Sequence, residues 1–398
     1  MSREHHEGRD VLTGRPVRVV VRAGVVDEVE LLDTSTALPW LSHGLVDLQV
    51  NGFGGIDVNA ADLTVDDVGR LARGLVAQGT SHWVPTIVTQ SHDRIAQALS
   101  TLADAVASDP VVAASVPCAH IEGPFISPLD GPRGAHDRSL VRDIDVDEVR
   151  RWQELFPIGY VTVSPHGKDA PAKISALRRL GVAVAIGHTH ATEEQVAAAS
   201  VAGATLSTHL GNGVRADLPR HPNLLWEQIA DTTLSAGLIG DGHHLPAAVL
   251  ESIVRAKGPQ GCYLVSDSVA LAGSPAGRYT TPVGGDVVLS DDGRLALASD
   301  DRLLAGSAVP LAHCVRFAAT RTQLTLPEVF DMATRVPGRL LAELARVGAP
   351  AARGTEISPT GAVPVGTILP GTPAHLVLWD SDLTIIETIG PGGGRIDG

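Results

Sequence analysis

The stretch VAVAIGHTHATEEQVAAASVAGATLSTHLGNG, residues 182–213, decides the fold. Val182 to Ile186 are aliphatic without alternation, and a polar loop opening on His188 follows them. An unbroken apolar run bounded by a turn signal reads as a strand buried on both faces. Thr192, with Glu193 and Glu194 behind it, then opens a helix. The hydroxyl caps free amides, and the acids sit at the positive end of the helix dipole. A second aliphatic strand, Ala204–His209, closes the unit and again ends on a histidine. Strand, helix, strand, with polar chemistry only at the strand ends, is one turn of a parallel sheet.

The same unit recurs outward in both directions. Strands are expected at Gly44–Val50, Ser81–Val88, Val116–Glu122, Gly159–Ser164, Val182–Gly187, Ala204–His209, Leu234–Ile239 and Cys262–Asp267. Between the first two, Thr64 caps VDDVGRLARGLVAQG and Gly79 stops it. Eight such alternations specify an α/β fold of the (β/α)8 TIM-barrel type. A doubly wound nucleotide-binding sheet is disfavoured, because Asn51–Gly55 (NGFGG) lacks the GxGxxG spacing and opens no helix. Residues 17–32 and 366–389 read as short strands broken by turns, which predicts a small β-sandwich domain built from both termini. The expected boundaries are 1–43 and 352–398 for that domain, and 44–351 for the barrel. GPGGGRIDG reads as a flexible tail.

Composition narrows the function. The 398-residue chain carries a net charge of −14 and no basic cluster, which excludes nucleic acid and anionic membranes as partners. No stretch reaches the ~18 apolar residues of a membrane span, and the polar N-terminus has no signal-peptide core. Cys118, Cys262 and Cys314 are odd in number and far apart, so reduced thiols and a cytoplasmic location are expected.

Chemistry in a barrel sits at the C-terminal strand ends. Those positions carry Asp47, Gln49 and Asn51, then Glu122, His188 and His209, then Asp241, His243 and His244, and finally Asp267. One Glu and two His on separate strands form a metal tripod of three protein ligands and an open fourth position. A bound dication brings the pKa of water near ~7. Asp267 is then placed as the general base. Any single histidine after a strand reads more simply as a loop or core residue; the concurrence of all four residues carries the metal reading. His5, His6, His82, His92, His221 and His313 read as surface or packing histidines, and His166 as a solvated loop residue with pocket lining as its alternative.

The ordered motifs GLVDLQVNGFGG, TSHWVPTIVT, HIEGPFISP with GAHD, AIGHTHAT, GATLSTHLGNG, DGHHLP, LVSDS and LAGS run from Gly44 onward. Together with the closing GTILPGTPAHLVLWD, the chain resembles the N-acetylglucosamine-6-phosphate deacetylases of the amidohydrolase superfamily. The resemblance implies Glu122, His188 and His209 as metal ligands and Asp267 as the group that activates water and protonates the leaving amine. It implies His136 as a catalytic and substrate-contacting residue near the acetamido group. His244, Asn212, Gly213, Arg220, Leu304 and Ser307 are implied as further substrate contacts, with Asn212 and Arg220 on the phosphate. It also implies a homodimer in which Arg220 and His244 lie near the neighbouring subunit's site and an amino-sugar phosphate as substrate; one divalent metal per site is expected, Zn foremost, with Fe, Mn or Co as alternatives.

Three departures qualify that picture. Gln49 and Asn51 stand where binuclear relatives carry an HxH pair, and neutral amides are poor ligands for such dications, so one strongly bound metal is expected. Gly211 and Gly213 replace bulkier neighbours of Asn212, and PRHPNLLWEQ departs from the usual sequence around Arg220. His190 is an additional histidine two residues beyond His188, expected to be structural, with weak second-metal binding as the alternative. Two other functions stay open: an amidohydrolase on another N-acylated sugar or amide, and a barrel without catalysis.

Overall fold

The computed structural model describes residues 3–281, 285–348 and 365–390. Eight parallel strands follow the aliphatic runs: β1 (Leu45–Val50), β2 (Thr80–Val88), β3 (Ala119–Glu122), β4 (Ile158–Val163), β5 (Ala183–Ile186), β6 (Leu206–Ser207), β7 (Ser235–Ile239) and β8 (Cys262–Val265). They lie side by side in chain order. The Asp267 amide donates to the Gln49 carbonyl at 3.0 Å and the Asn51 amide to the Ser268 carbonyl at 2.8 Å, joining β8 back to β1. The sheet thereby closes into a barrel.

Two strands are shorter than their aliphatic runs. Val116 caps the short helix Pro110–Ser115, so β3 starts only at Ala119. β6 stops at Ser207 because His209 has φ 28°, outside the strand region. The helices cover the outside of the barrel through interleaved apolar side chains, among them Leu71, Leu75, Leu99, Leu102, Trp152 and Ile174, all essentially buried. Thr64 and Thr192 each form a reciprocal capping box, as their sequence context demands.

Both termini contribute to one six-stranded sheet, ordered Ile385–Ile389, Leu376–Trp379, Trp40–His43, Arg3–Asp10, Pro16–Arg22, Val25–Leu31. Arg3–Asp10 has no apolar alternation, yet it is a strand because both of its neighbours pair with it. The proposed boundary at residue 352 and all but the first residue of the GPGGGRIDG segment lie outside the described residues. A four-stranded antiparallel sheet, Gly277–Thr281, Gly285–Leu289, Leu295–Leu297 and Asp300–Leu304, follows β8 and has a small core of its own around Leu271, Val287, Leu289 and Leu295. The sequence reading did not anticipate it.

Three histidines meet where the terminal sheet passes into the barrel. The rings of His43, His82 and His375 lie 5.3–6.5 Å apart. Burial holds His43 and His375 down to about 4 and, with those two rings beside it, drives His82 well below its usual value. These depressed values set a sign. Between about pH 6.5 and pH 4 the unfolded chain binds protons that the folded chain refuses, so stability is full above that window and falls as acid is added. We expect the melting temperature to drop on going from about pH 7 to about pH 5.5, and to drop less in His375→Gln; equal drops in thermal scans of the two proteins would contradict this account.

Candidate metal centre and active site

Glu122 ends β3, and His188 and His209 follow β5 and β6. The two histidines sit at φ 46° and 28°, and Asp267, after β8, at φ 49°. Left-handed backbone at a non-glycine residue costs roughly 1–3 kcal/mol each, and such outliers cluster at functional sites. The turn ends each strand and points its side chain into the barrel mouth.

Glu122 Oε1 lies 3.0 Å from His209 Nε2 and 3.3 Å from His188 Nε2, and the two imidazole nitrogens are 3.0 Å apart. This Glu-His-His group is the one set among the described residues whose ligand atoms converge as a metal site would need. His188 Nδ1 donates to the Pro132 carbonyl at 2.8 Å, which leaves Nε2 as a bare lone pair. An imidazole lone pair facing a carboxylate and a second imidazole nitrogen is repulsive unless positive charge sits among them. The donor set therefore fits a divalent cation. All three residues are buried.

The neighbours tune these groups. Gln49 Nε2 donates to Glu122 Oε1 at 3.0 Å, and Asn51 Nδ2 donates to Asp267 Oδ1 at 2.7 Å. Both amides act as hydrogen-bond donors to the carboxylates of the site, a role that strand-by-strand reading did not reveal. Burial alone would raise the Glu122 carboxyl, but the adjoining His188 and His209 draw it the other way, and the balance holds Glu122 well below its usual range. Asp267 is pushed up to about 8 by burial and by the nearby Glu122 charge. Asp47, buried beneath, is raised to about 7 by desolvation while its Oδ1 accepts from the Ser266 amide.

His136 joins the cluster. Its Nε2 is 3.3 Å from His188 Nε2, its ring meets His188 edge-on at 4.4 Å, and its Nδ1 contacts Thr89 Oγ1 at 2.9 Å. Burial and the adjacent His188 lower it to about 3. Gly213 packs on the His188 ring: a Cβ there would stand 2.9 Å from Nδ1, so the loop needs glycine at that point. Asn212 folds back toward the His209 carbonyl at 3.4 Å. His244 Nδ1 contacts Asp241 Oδ2 at 2.6 Å, and Asp241 also accepts both the His243 and His244 amides. Asp241 was legible only as a polar residue after β7; its anchoring of His244 was not.

The remaining sequence-chosen residues spread outward. Ser307 is buried and bridges to Ser268, while Leu304 is half-buried at the end of the inserted sheet. Arg220 lies on an exposed loop, and its side chain makes no ion pair or hydrogen bond within the described residues. His190 Nδ1 contacts Ser127 Oγ at 2.6 Å, away from the tripod's ligand atoms. Asn51 Oδ1, His209 Nδ1 and Ser307 Oγ are buried with no protein partner, a concentration of unmet polar atoms that a ligand or water is suited to satisfy.

No family model matches the chain. The mouse N-acetylglucosamine-6-phosphate deacetylase is 31% identical over 314 residues, covering 76% of this chain and 74% of that protein. The N-acetylgalactosamine-6-phosphate deacetylase of Escherichia coli O157:H7 is 31% identical over 324 residues, covering 80% and 83%. Among solved structures, a mutant N-acetyl-D-glucosamine-6-phosphate deacetylase from Mycobacterium smegmatis, in complex with N-acetyl-D-glucosamine-6-phosphate, aligns over 100% of both chains with a TM-score of 0.84 and 27% identity. With an eight-stranded parallel barrel, a buried Glu-His-His group at its mouth and relatives at this identity over three quarters of its length, the chain belongs to the N-acetylglucosamine-6-phosphate deacetylase family of the amidohydrolase superfamily.

Proposed function

We propose that this protein hydrolyses the N-acetyl group of an amino-sugar phosphate, N-acetylglucosamine-6-phosphate foremost, to acetate and the free amine. The observation that carries the proposal is the convergence of Glu122, His188 and His209 at about one hydrogen-bond length, with the Asp267 carboxyl in electrostatic reach.

Glu122, His188 and His209 would hold one divalent metal, and their nitrogen-and-oxygen set suits zinc, iron, manganese or cobalt. When bound, the ion supplies a positive charge that polarises the acetamide carbonyl and acidifies water. Asp267 takes the proton of the attacking water. Burial and the Glu122 charge raise its pKa, which disposes it to keep the accepted proton until the leaving amine takes it. As the water oxygen bonds to the acetyl carbon, the C–N bond breaks, and the proton held on Asp267 passes to the departing nitrogen. Asn51 holds one oxygen of Asp267, leaving the other for this traffic. His136, neutral because its value is about 3, is assigned to the acetamido group as a hydrogen-bonding partner.

His244, fixed by Asp241, is assigned to the sugar, with Leu304 and Ser307 beside it, and Asn212, Gly213 and Arg220 to the phosphate. The reading includes a homodimer in which Arg220 and His244 lie near the neighbouring subunit's site; the exposed loop and unpaired side chain of Arg220 support it. A second sugar is favoured by one specific finding: the Escherichia coli relative, similar to this chain over 80% of its length, is named for N-acetylgalactosamine-6-phosphate.

Acetate release tests the reaction. Metal-replete enzyme should turn over N-acetylglucosamine-6-phosphate or its galactosamine epimer far faster than unphosphorylated N-acetylglucosamine; failure on both phosphosugars would remove the assignment. Asp267→Asn should retain its metal while losing roughly 100-fold or more in kcat, since a neutral amide cannot accept the water's proton. Metal analysis beside kcat checks this, and near-normal turnover would refute the base. Chelation should abolish activity and one equivalent of metal should restore it; restoration needing two would contradict the single-ion tripod.

A further inference from the structure

The interior of such a barrel is ordinarily filled by layers of branched aliphatic side chains. One layer here is polar, and it lies next to the metal ligands along their own strands. Thr86 on β2, His120 on β3, Thr162 on β4 and Thr208 just after β6 are all buried. Buried hydroxyls and imidazoles are costly unless each finds a partner. His120 is held at both ring nitrogens, Nδ1 3.2 Å from Thr86 Oγ1 and Nε2 2.7 Å from Thr162 Oγ1. Its flat face stacks on Tyr160 with ring centroids 3.9 Å apart, and the Tyr160 hydroxyl donates to the Leu48 carbonyl at 2.7 Å.

Thr162 joins the members of this layer. Its Oγ1 also lies 2.7 Å from Thr208 Oγ1, so one hydroxyl links His120 to Thr208. A hydroxyl has one proton to give and lone pairs to receive, so the link is satisfied whichever way the protons run. A third segment lies flush against the pair. A Cβ added at Gly187 would stand 2.9 Å from Thr162 Cγ2 and 2.7 Å from Thr208 Cβ.

These are the segments that carry the tripod. His120 and Glu122 are alternate residues of β3 and share one face of it, and Glu122 pairs directly across from Thr162 in the β3–β4 register. Gly187 precedes His188, and Thr208 precedes His209. None of the three ligands comes from β4, yet Thr162 touches every segment that bears one. Both histidines sit in left-handed backbone, a conformation that persists only where its surroundings over-determine it. We propose that Thr162 is a positioning residue for the metal tripod, its hydroxyl fixing the spacing of the strand ends that present Glu122 and His209. The proposal rests on the metal reading of Glu122, His188 and His209.

Metal affinity tests it. Stripped protein is titrated with Zn2+ against a chromophoric chelator, with thermal scans confirming that the apoprotein is folded. Thr162→Val keeps the shape of the side chain and deletes the hydroxyl; Thr162→Ser keeps the hydroxyl. The valine variant should bind Zn2+ about tenfold more weakly, the low end for groups that hold metal ligands in place, and the serine variant should stay within about threefold of wild type. A hydroxyl that merely stabilised the fold would lower the melting temperature and leave the Kd of the folded protein alone. Thr208→Val deletes the other half of the same contact and should also weaken binding, and the Thr162→Val/Thr208→Val double variant should lose little more than the worse single variant.

Wild-type affinity in Thr162→Val, a serine variant as weak as the valine one, or additive losses in the double variant would overturn the proposal. Should Thr162→Val fail to fold, Thr208→Val carries the same expectation with the His120 contact in place. A wild type that holds Zn2+ yet releases no acetate would remove the deacetylase reading alone, and one that holds no metal would remove both.

Discussion

Mutual repulsion among three electron-pair donors is the constraint on which the rest of this molecule turns. Glu122 Oε1 and the Nε2 atoms of His188 and His209 are held about as close as hydrogen-bonded atoms, yet the Pro132 carbonyl has claimed the His188 proton on the other side of the ring. Left to themselves these groups would separate. They are prevented by strands that pair along their lengths, by left-handed turns at His188 and His209, and by loops packed so tightly that Gly213 admits no side chain beside His188. The barrel is the frame that stores this unfavourable geometry until a cation relieves it.

The same frame sets the opposing behaviour of two carboxyls. Glu122 and Asp267 are both buried, but Glu122 faces imidazoles and stays charged, whereas Asp267 faces the Glu122 charge and holds its proton more firmly. Two acids in one pocket are driven apart in strength by position alone, which is how a ligand and a proton carrier are made from the same chemistry. Gln49 and Asn51 complete the division by donating one hydrogen bond to each.

Most of the barrel was legible because a strand buried on both faces must be aliphatic and must stop where polar residues begin. Glu122, His188, His209 and Asp267 were visible for the same reason: each interrupts or ends such a run. Arg3–Asp10 was not visible, since its pairing comes from neighbours and not from its own pattern. The inserted sheet was missed although RYTTPVGGDVVLSDDGRLAL contains turn pairs at Gly284–Gly285 and Asp292–Gly293; its strands are short and its core small. The donor roles of Gln49 and Asn51 span 73 and 216 residues of sequence, and no local pattern carries a contact of that range. Arg220, placed on the phosphate by resemblance, makes no side-chain ion pair or hydrogen bond among the described residues.

The closure of the barrel between Gln49 and Asp267 also fixes an order of events in the cell. β1 leaves the ribosome early, but the strand that completes its far edge, and the acid that Asn51 must hold, are made 216 residues later. The N-terminal strands wait longer still, for Leu376–Trp379 to pair with Trp40–His43. Contacts of such separation form late and slowly. A nascent chain stalled between His209 and β8 would carry Glu122, His188 and His209 without Asp267 and would present an open sheet edge, so such partial products are exposed to sticking before the barrel can close.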